Sequence, residues 1–220
     1  MRAEVWVSVH GKRADARSIT ALMALGTTQG DAVVLEAAGD DAGVALDALS
    51  ACFDPPAAER ETPRPVAELP ERLAALIAVR GVAAGPACRL AAPRWAFPAS
   101  SGDDGVEIGM LDEALASVVL QLASEADALK GARRDILEAH AAMLGDPALR
   151  ASAIERVRVG DGAACAWAAA CEAMAARLRQ SSDRRMAERA ADLTDVSQRV
   201  LVHLLGAPPA TAVPHGAILV

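Results

Sequence analysis

Aromatic residues make up only 2% of this 220-residue chain, with three tryptophans, two phenylalanines and no tyrosine. A core without large rings has to be filled by Ala, Leu and Val, which suits closely packed helices better than an all-β sandwich. Cysteine is also sparse. Cys52, Cys88, Cys165 and Cys171 form no C-x-x-C pair, so neither a zinc site nor a disulfide framework is indicated, and all four are expected to act as small buried hydrophobes. The net charge is −7 and no run of Lys and Arg is flanked by aromatic rings, which removes the electrostatic footprint of a nucleic-acid binder. No stretch is long enough and free enough of charge to span a bilayer, and the opening MRAEVWVSVHGKRAD lacks the apolar run of an export signal. The expectation is a cytoplasmic protein with no membrane insertion, whose partner is a protein or a small molecule. A phosphate-binding G-x-x-x-x-G-K-[ST] loop, a nucleophile elbow and a metal-spaced set of His and carboxylates are missing too, so no metal site is expected.

What is present is periodicity. Val5, Val7 and Val9 alternate with Glu4, Trp6 and Ser8 as in a half-buried strand. His10-Gly11-Lys12 turns the chain. Asp15 or Ser18 then caps a short helix in which Ile19, Leu22 and Met23 share a face before Gly26 ends it. Residues 31–38 read as another strand, and Asp40 or Asp41 caps a helix carrying Val44, Leu46, Leu49 and Phe53. Residues 54–70, DPPAAERETPRPVAELP, hold five prolines among charges and read as a semi-extended linker. Residues 81–91 suggest a strand, and residues 95–105 a loop.

From Val106 the spacing becomes helical. Leu111, Leu115, Val118, Leu122 and Leu129 recur on one stripe, and Gly131 is expected to bend the helix before it continues through residues 133–144. Leu137, Met143 and Leu144 share a side with His140 at its edge, and Gly145-Asp146-Pro147 stops one helix and starts the next, over residues 148–159. Gly160-Asp161-Gly162 breaks the chain again. Residues 163–178 form an Ala-rich helix, and residues 183–205 a last long one with Leu193, Val196, Val200 and Leu204 on one face. Glu188, Arg189, Asp192 and Glu172 or Asp195 have the spacing for an ion-pair lattice between helices. The chain opens inside one strand pattern and closes inside another, at residues 217–220, so a segment of a longer polypeptide is expected.

Two family resemblances rest on these motifs. The string ADARSITALMALGTTQGDAVVLEAAGDDAGVALDAL, with Ser18, Leu25-Gly26 and Gln29-Gly30-Asp31, resembles the second half of HPr, the phosphocarrier of the bacterial sugar phosphotransferase system. The hairpin LEAHAAMLGDPAL, the motif Glu188-Arg189-Ala190-Ala191-Asp192 and the Gly-Pro-Ala strand at Gly85-Pro86-Ala87 resemble Enzyme I, the phosphoenolpyruvate–protein phosphotransferase of that system. In the order HPr then Enzyme I, they resemble the fused multiphosphoryl transfer proteins. The resemblance implies an α+β fold that is mostly α. A partial HPr-like open-faced β-sandwich (β-α-β-α, residues 1–53) leads through the linker 54–70 into an Enzyme I region, residues 71–220. There an antiparallel helical bundle, about 106–206, is inserted in a truncated α/β domain whose visible strands are 81–91 and 217–220.

A phosphohistidine relay needs an exposed imidazole met by groups that stabilise the transferring phosphoryl. The families carry it in a Gly-x-His-Ala-Arg and a Gly-Gly-x-x-Ser-His motif, and neither contains any of His10, His140, His203 or His215. No catalytic residue is therefore assigned, and the chain alone is not expected to hold phosphate on histidine. The chain needs no cofactor of its own in this reading. Magnesium and phosphoenolpyruvate are expected of the intact Enzyme I family, on a domain outside this sequence.

The resemblance implies an HPr-docking surface at His140, Met143, Leu149 and Arg189. Each has a plainer reading: His140 as a polar edge of the core, the apolar stripe as ordinary interior. Where the family often places acids a few positions before the hairpin stand Gly131 and Ala132, flanked by Arg133 and Arg134, which would alter or even reverse docking electrostatics. Ser18 matches the regulatory serine of HPr, a phosphorylation site in that family, but an ordinary N-cap is the preferred reading, since it needs no further explanation. Thr20 replaces the larger apolar residue usual there and is expected to weaken docking. The partners implied are HPr or an HPr-like domain and the remainder of Enzyme I. The rival from another class is a non-catalytic helical adaptor that binds HPr without transferring phosphate.

Overall fold

Alternation along the first strand decides the small sheet. The structure, a computed structural model, describes residues 3–28, 30–53, 84–89, 95–181, 184–208 and 213–219. Strand β1 (Glu4–Val9) buries Val5, Val7 and Val9 and turns its other residues outward. His10 and Gly11, both at positive φ (50° and 76°), make a two-residue hairpin turn into β2 (Lys12–Asp15). Then come α1 (Ile19–Met23), β3 (Val34–Ala38) and α2 (Ala42–Phe53). The sheet is antiparallel in the order β2-β1-β3, with Val7 opposite Ala14 on one side and Leu35 on the other. Strand β2 was not foreseen, because KRAD carries a single apolar core contact, Ala14. Its open face is held by the Arg13 guanidinium, 4.4 Å from the Trp6 ring centroid and 3.0 Å from Glu36.

Helix α3 (Asp104–Asp127) starts where Asp103 accepts hydrogen bonds from the Gly105 and Val106 amides at 2.8 and 3.1 Å. Leu111, Leu115, Val118 and Leu122 are all buried on it, as the spacing requires. Gly131 does not bend this helix. The chain leaves it after Asp127, and Gly131, at φ +61°, opens a separate helix α4 (Ala132–Leu144), a conformation that a residue without a side chain adopts freely. The hairpin then turns into α5 (Pro147–Arg158), and α6 (Ala163–Arg179) and α7 (Arg184–Leu205) complete the bundle. Their common core joins the α3 stripe to Leu144, Leu149, Trp167, Leu178, Leu193, Val196 and Val200. Helix α6 contributes Ala163, Ala164, Ala166, Ala170 and Ala175 to its buried face, and its contact with α7 is the most extensive between any two helices described.

The chain divides into two units, Met1–Leu49 with Trp95–Pro208, and Ser50–Arg94 with Pro209–Val220. The first unit holds most of the HPr-like stretch together with the bundle: α1 packs against α4 and α5, and Met23 and Ala24 lie on the bundle core. In the other unit, β4 (Ala87–Cys88) and β5 (Ile218–Leu219) pair in parallel, within the two stretches read as strands. A side chain at Gly85 would come within 2.0 Å of the Gly216 carbonyl oxygen, which explains the glycine there. The linker 54–70 and residues 81–83 and 90–91 of the expected strand lie outside the described residues.

Other expectations are corrected. Of the cysteines only Cys171 is a buried hydrophobe, its thiol pushed up to about 12 by burial; Cys52 is exposed and Cys88 and Cys165 are half-buried. Helix α2 buries only Ala45, leaving Val44 and Phe53 exposed. Arg189 pairs with Asp192 on its own helix at 2.8 Å, and Glu172 with Arg179 at 2.9 Å within α6, so these ion pairs run along helices rather than between them. No described helix is long and apolar enough to cross a membrane.

Glu107 ties the first turn of α3 to the start of α6. It is buried, and its carboxylate accepts 2.7 Å hydrogen bonds from the Ser101 and Ala163 amides, which hold its carboxyl below the usual range against the opposing effect of burial. Stability from this group is therefore present above the ordinary glutamate range and is lost as pH falls through the lowered folded-state value. Replacing Glu107 by Gln is expected to cost about 2 kcal/mol at pH 7. Urea midpoints measured between pH 7 and pH 3 should converge for the two proteins at the acid end.

Candidate functional site

Asp146 sits at the turn between α4 and α5, and only 2% of it is exposed. Its position before Pro147 makes it the N-cap of α5: Oδ1 accepts from the amides of Ala148 at 2.8 Å and Leu149 at 3.3 Å. The same carboxylate is met by α1 from far away in sequence. The Ser18 hydroxyl donates to Oδ1 and Oδ2 at 2.9 and 3.0 Å, and Oδ2 also accepts from the Thr20 amide and the Thr20 hydroxyl, each at 2.7 Å. Ser18 and Thr20 are both fully buried. While donating outward, the Ser18 oxygen accepts from the Ala21 amide at 3.0 Å, so it is the N-cap of its own helix as well. One carboxylate thereby joins the starts of two helices, and its charge is favourably placed at the N-terminal end of α5.

The surroundings brace this turn. Arg150, one residue past Leu149, grips Asp112 of α3 through two 2.7 Å hydrogen bonds, and this pairing holds the Asp112 carboxyl below its ordinary range. Arg134 is paired with Glu138 on α4, first by a hydrogen bond at 2.6 Å, so its charge is largely spent within the helix. Arg17 pairs with Asp15 just ahead of Ser18 and fixes the approach to α1.

The residues predicted for a docking surface are placed unequally. Met143 is the last-but-one residue of α4 and is 2% exposed, and Leu149, 1% exposed, belongs to the bundle core. Neither is an open patch: the hairpin packs against the bundle on one side and α1 on the other. His140 is half-buried one turn earlier, with Nε2 enclosed and unpartnered. Arg189 is on α7, exposed and engaged by Asp192. The geometry brings His140, Met143 and Leu149 to the α4–α5 hairpin and leaves Arg189 on another helix. Ser18 is an N-cap as foreseen, but it is sealed beneath α1. Thr20, expected to weaken docking, is instead hydrogen-bonded at the centre of the contact. The residue that reading by position missed is Asp146. An Asp-Pro pair at a helix start signals a cap, and nothing local signals the second helix it holds.

The model of the family described as PEP-utilising enzyme, N-terminal, matches residues 74–189. The chain belongs to that family. A second model, PTS HPr component phosphorylation site, matches residues 1–54, so the HPr-type and PEP-utilising parts follow one another in the order of the two resemblances. The multiphosphoryl transfer protein of Xanthomonas campestris pv. campestris is 32% identical over 223 residues, covering 92% of this chain and 26% of that protein. That of Rhodobacter capsulatus is 30% identical and covers 92% of this chain and 27% of its own length. The chain thus spans about a quarter of the curated relatives it matches. Among solved structures, an N-terminal domain of Enzyme 1 - Nitrogen is similar at TM-score 0.46 and 26% identity, over 61% of this chain and 58% of the other. An NMR solution structure of Enzyme I (nEIt) is similar at TM-score 0.45 and 24% identity, over 58% and 55%.

The burial differences have a measurable consequence. Met143→Ala and Leu149→Ala should each lower stability by about 2–5 kcal/mol, as truncation of enclosed side chains does. Arg189→Ala should stay within about 0.5 kcal/mol, because an exposed ion pair contributes little. Urea unfolding followed by circular dichroism measures all three.

Proposed function

We propose that this chain is the docking segment of a phosphoenolpyruvate-dependent sugar phosphotransferase protein, in which an HPr-type part is received on the helical bundle of an Enzyme I-type part. The observation that carries the reading is the seating of α1 on the α4–α5 hairpin, with Ser18 and Thr20 both donating to Asp146. The docking surface assigned is the α4–α5 hairpin that carries His140, with Met143 and Leu149 enclosed beneath it, together with Arg189 of α7. Phosphoryl groups would pass from phosphoenolpyruvate through an Enzyme I histidine to an HPr histidine and on to a sugar-specific acceptor. This chain's part is to align the carrier; no histidine, metal or phosphoenolpyruvate site on it is assigned a role in transfer. The proposed setting is the cytoplasm.

Ser18 is proposed as a regulatory phosphorylation site by its match to the HPr serine, open to modification when α1 is off the hairpin, since its hydroxyl is enclosed when α1 is seated. A phosphoryl ester on its hydroxyl would bring about −1.5 to −2 charges against the Asp146 carboxylate, and docking would be opposed by like charge.

The test exchanges this chain for the matching region of a multiphosphoryl transfer protein and follows labelled phosphate from phosphoenolpyruvate. His140→Ala with Arg189→Glu, two residues outside the sealed core, should slow transfer from the Enzyme I histidine to the HPr histidine at least about tenfold. Labelling of the Enzyme I histidine itself should continue at its former rate, which controls for folding. Unchanged transfer to HPr removes the assignment.

A further inference from the structure

We propose that the cleft between the end of α1 and the end of α6 is a binding site for a small phosphate monoester, held by Lys12 and Arg177. The cleft has a volume of about 460 Å³. Lys12 and the run Ala24-Leu25-Gly26 line one side of it, and Arg177, Gln180 and Ser181 the other. None of these residues belongs to the α4–α5 hairpin, and the site stands or falls without the docking reading above. Lys12 opens β2 directly after the hairpin turn, and Arg177 is in the last turn of α6. Both are exposed. Among the described residues neither is paired with a carboxylate and no Asp or Glu lines the cleft, whereas Arg179, two places beyond Arg177, is held by Glu172. A cation in a last turn favours the helix end. That accounts for an arginine on α6, but not for a lysine brought to the same cleft from the other end of the chain.

Two cations with no acid between them leave the cleft positive, and a phosphate monoester brings two charges on one group. The guanidinium offers a planar fork that matches phosphate oxygens, and the ammonium a compact point charge. The volume lies within the range of about 300–1,000 Å³ usual for small-molecule sites. Gln180 and Ser181 supply polar groups for hydroxyls on the organic part of the ester, and Ala24 and Leu25 an apolar wall. Gly26, at φ +69°, keeps that wall low: a Cβ there would stand 3.4 Å from the Ser181 Oγ, across the cleft. Because Lys12 comes from the HPr-type part and Arg177 from the bundle, a ligand gripping both binds only while the two are together and by linkage holds them together.

The test titrates the 220-residue chain with glucose 6-phosphate at constant ionic strength, with glucose and inorganic phosphate as comparators, and follows the Gly26 and Ser181 amides by NMR. Saturable shifts are expected with the ester, binding at least about tenfold weaker with inorganic phosphate, and none with glucose. Equal affinity for inorganic phosphate would overturn the ester in favour of the free ion, and shifts that never saturate would overturn the site. Lys12→Gln and Arg177→Gln, both at exposed positions, should each weaken binding about tenfold; unchanged affinity in either removes that residue's part and with it the two-cation site. Exchange of the Thr20 amide, which donates to Asp146, reports whether the two parts stay together. It should slow about tenfold with the ester at ten times its Kd. Unchanged exchange at saturation would overturn the bridge.

Discussion

A buried carboxylate that serves two helices at once is the constraint on which the arrangement of this chain depends. Asp146 cannot be withdrawn from water without donors on all sides, and the start of α5 provides only part of them. The remainder come from Ser18 and Thr20, more than 120 residues earlier. Satisfying one polar group thereby couples an HPr-type fold to a helical bundle. The apolar contact of Met23 and Ala24 with the bundle core adds area but no direction. The hydrogen bonds set the angle and register at which α1 lies on the hairpin.

Support for that turn comes from interactions at one remove. Arg150 holds α5 to α3 through Asp112, and Glu107 holds the loop before α3 to the beginning of α6. Charged groups thus organise the ends of the helices and the apolar stripes hold their middles. The division matches the composition: with few rings to interlock, the bundle relies on small side chains for closeness and on caps for precision.

The helical part was legible because its signals are periodic and local. Leu111, Leu115, Val118 and Leu122 mark a face directly, Asp146-Pro147 marks a start, and the two strands of the smaller unit fell within the stretches assigned to them. The failures share a physical origin in tertiary context. Strand β2 is polar and owes its existence to pairing with β1 and to Arg13 lying over Trp6. Val44 and Phe53 have the spacing of a buried stripe and are exposed, because periodicity gives a face and says nothing of what covers it. Thr20, read as a departure from the family's apolar residue, is enclosed and hydrogen-bonded to Asp146, a contact that nothing near it in the sequence signals. His140, Met143 and Leu149 were legible as neighbours at a hairpin, and the interior reading of Met143 and Leu149 matches their burial; that a helix from another part of the chain packs on the same turn was not legible.

The alanine face of α6 limits how this bundle can vary. Ala163, Ala170 and Ala175 stand almost wholly enclosed in one core with Leu193, Val196 and Val200 of α7. Where methyl groups set the distance between two backbones, a larger residue on one helix has room only if the other gives volume up. Substitutions in these two helices should therefore persist in compensating pairs, and the spacing of the bundle should outlast the identity of the residues that define it.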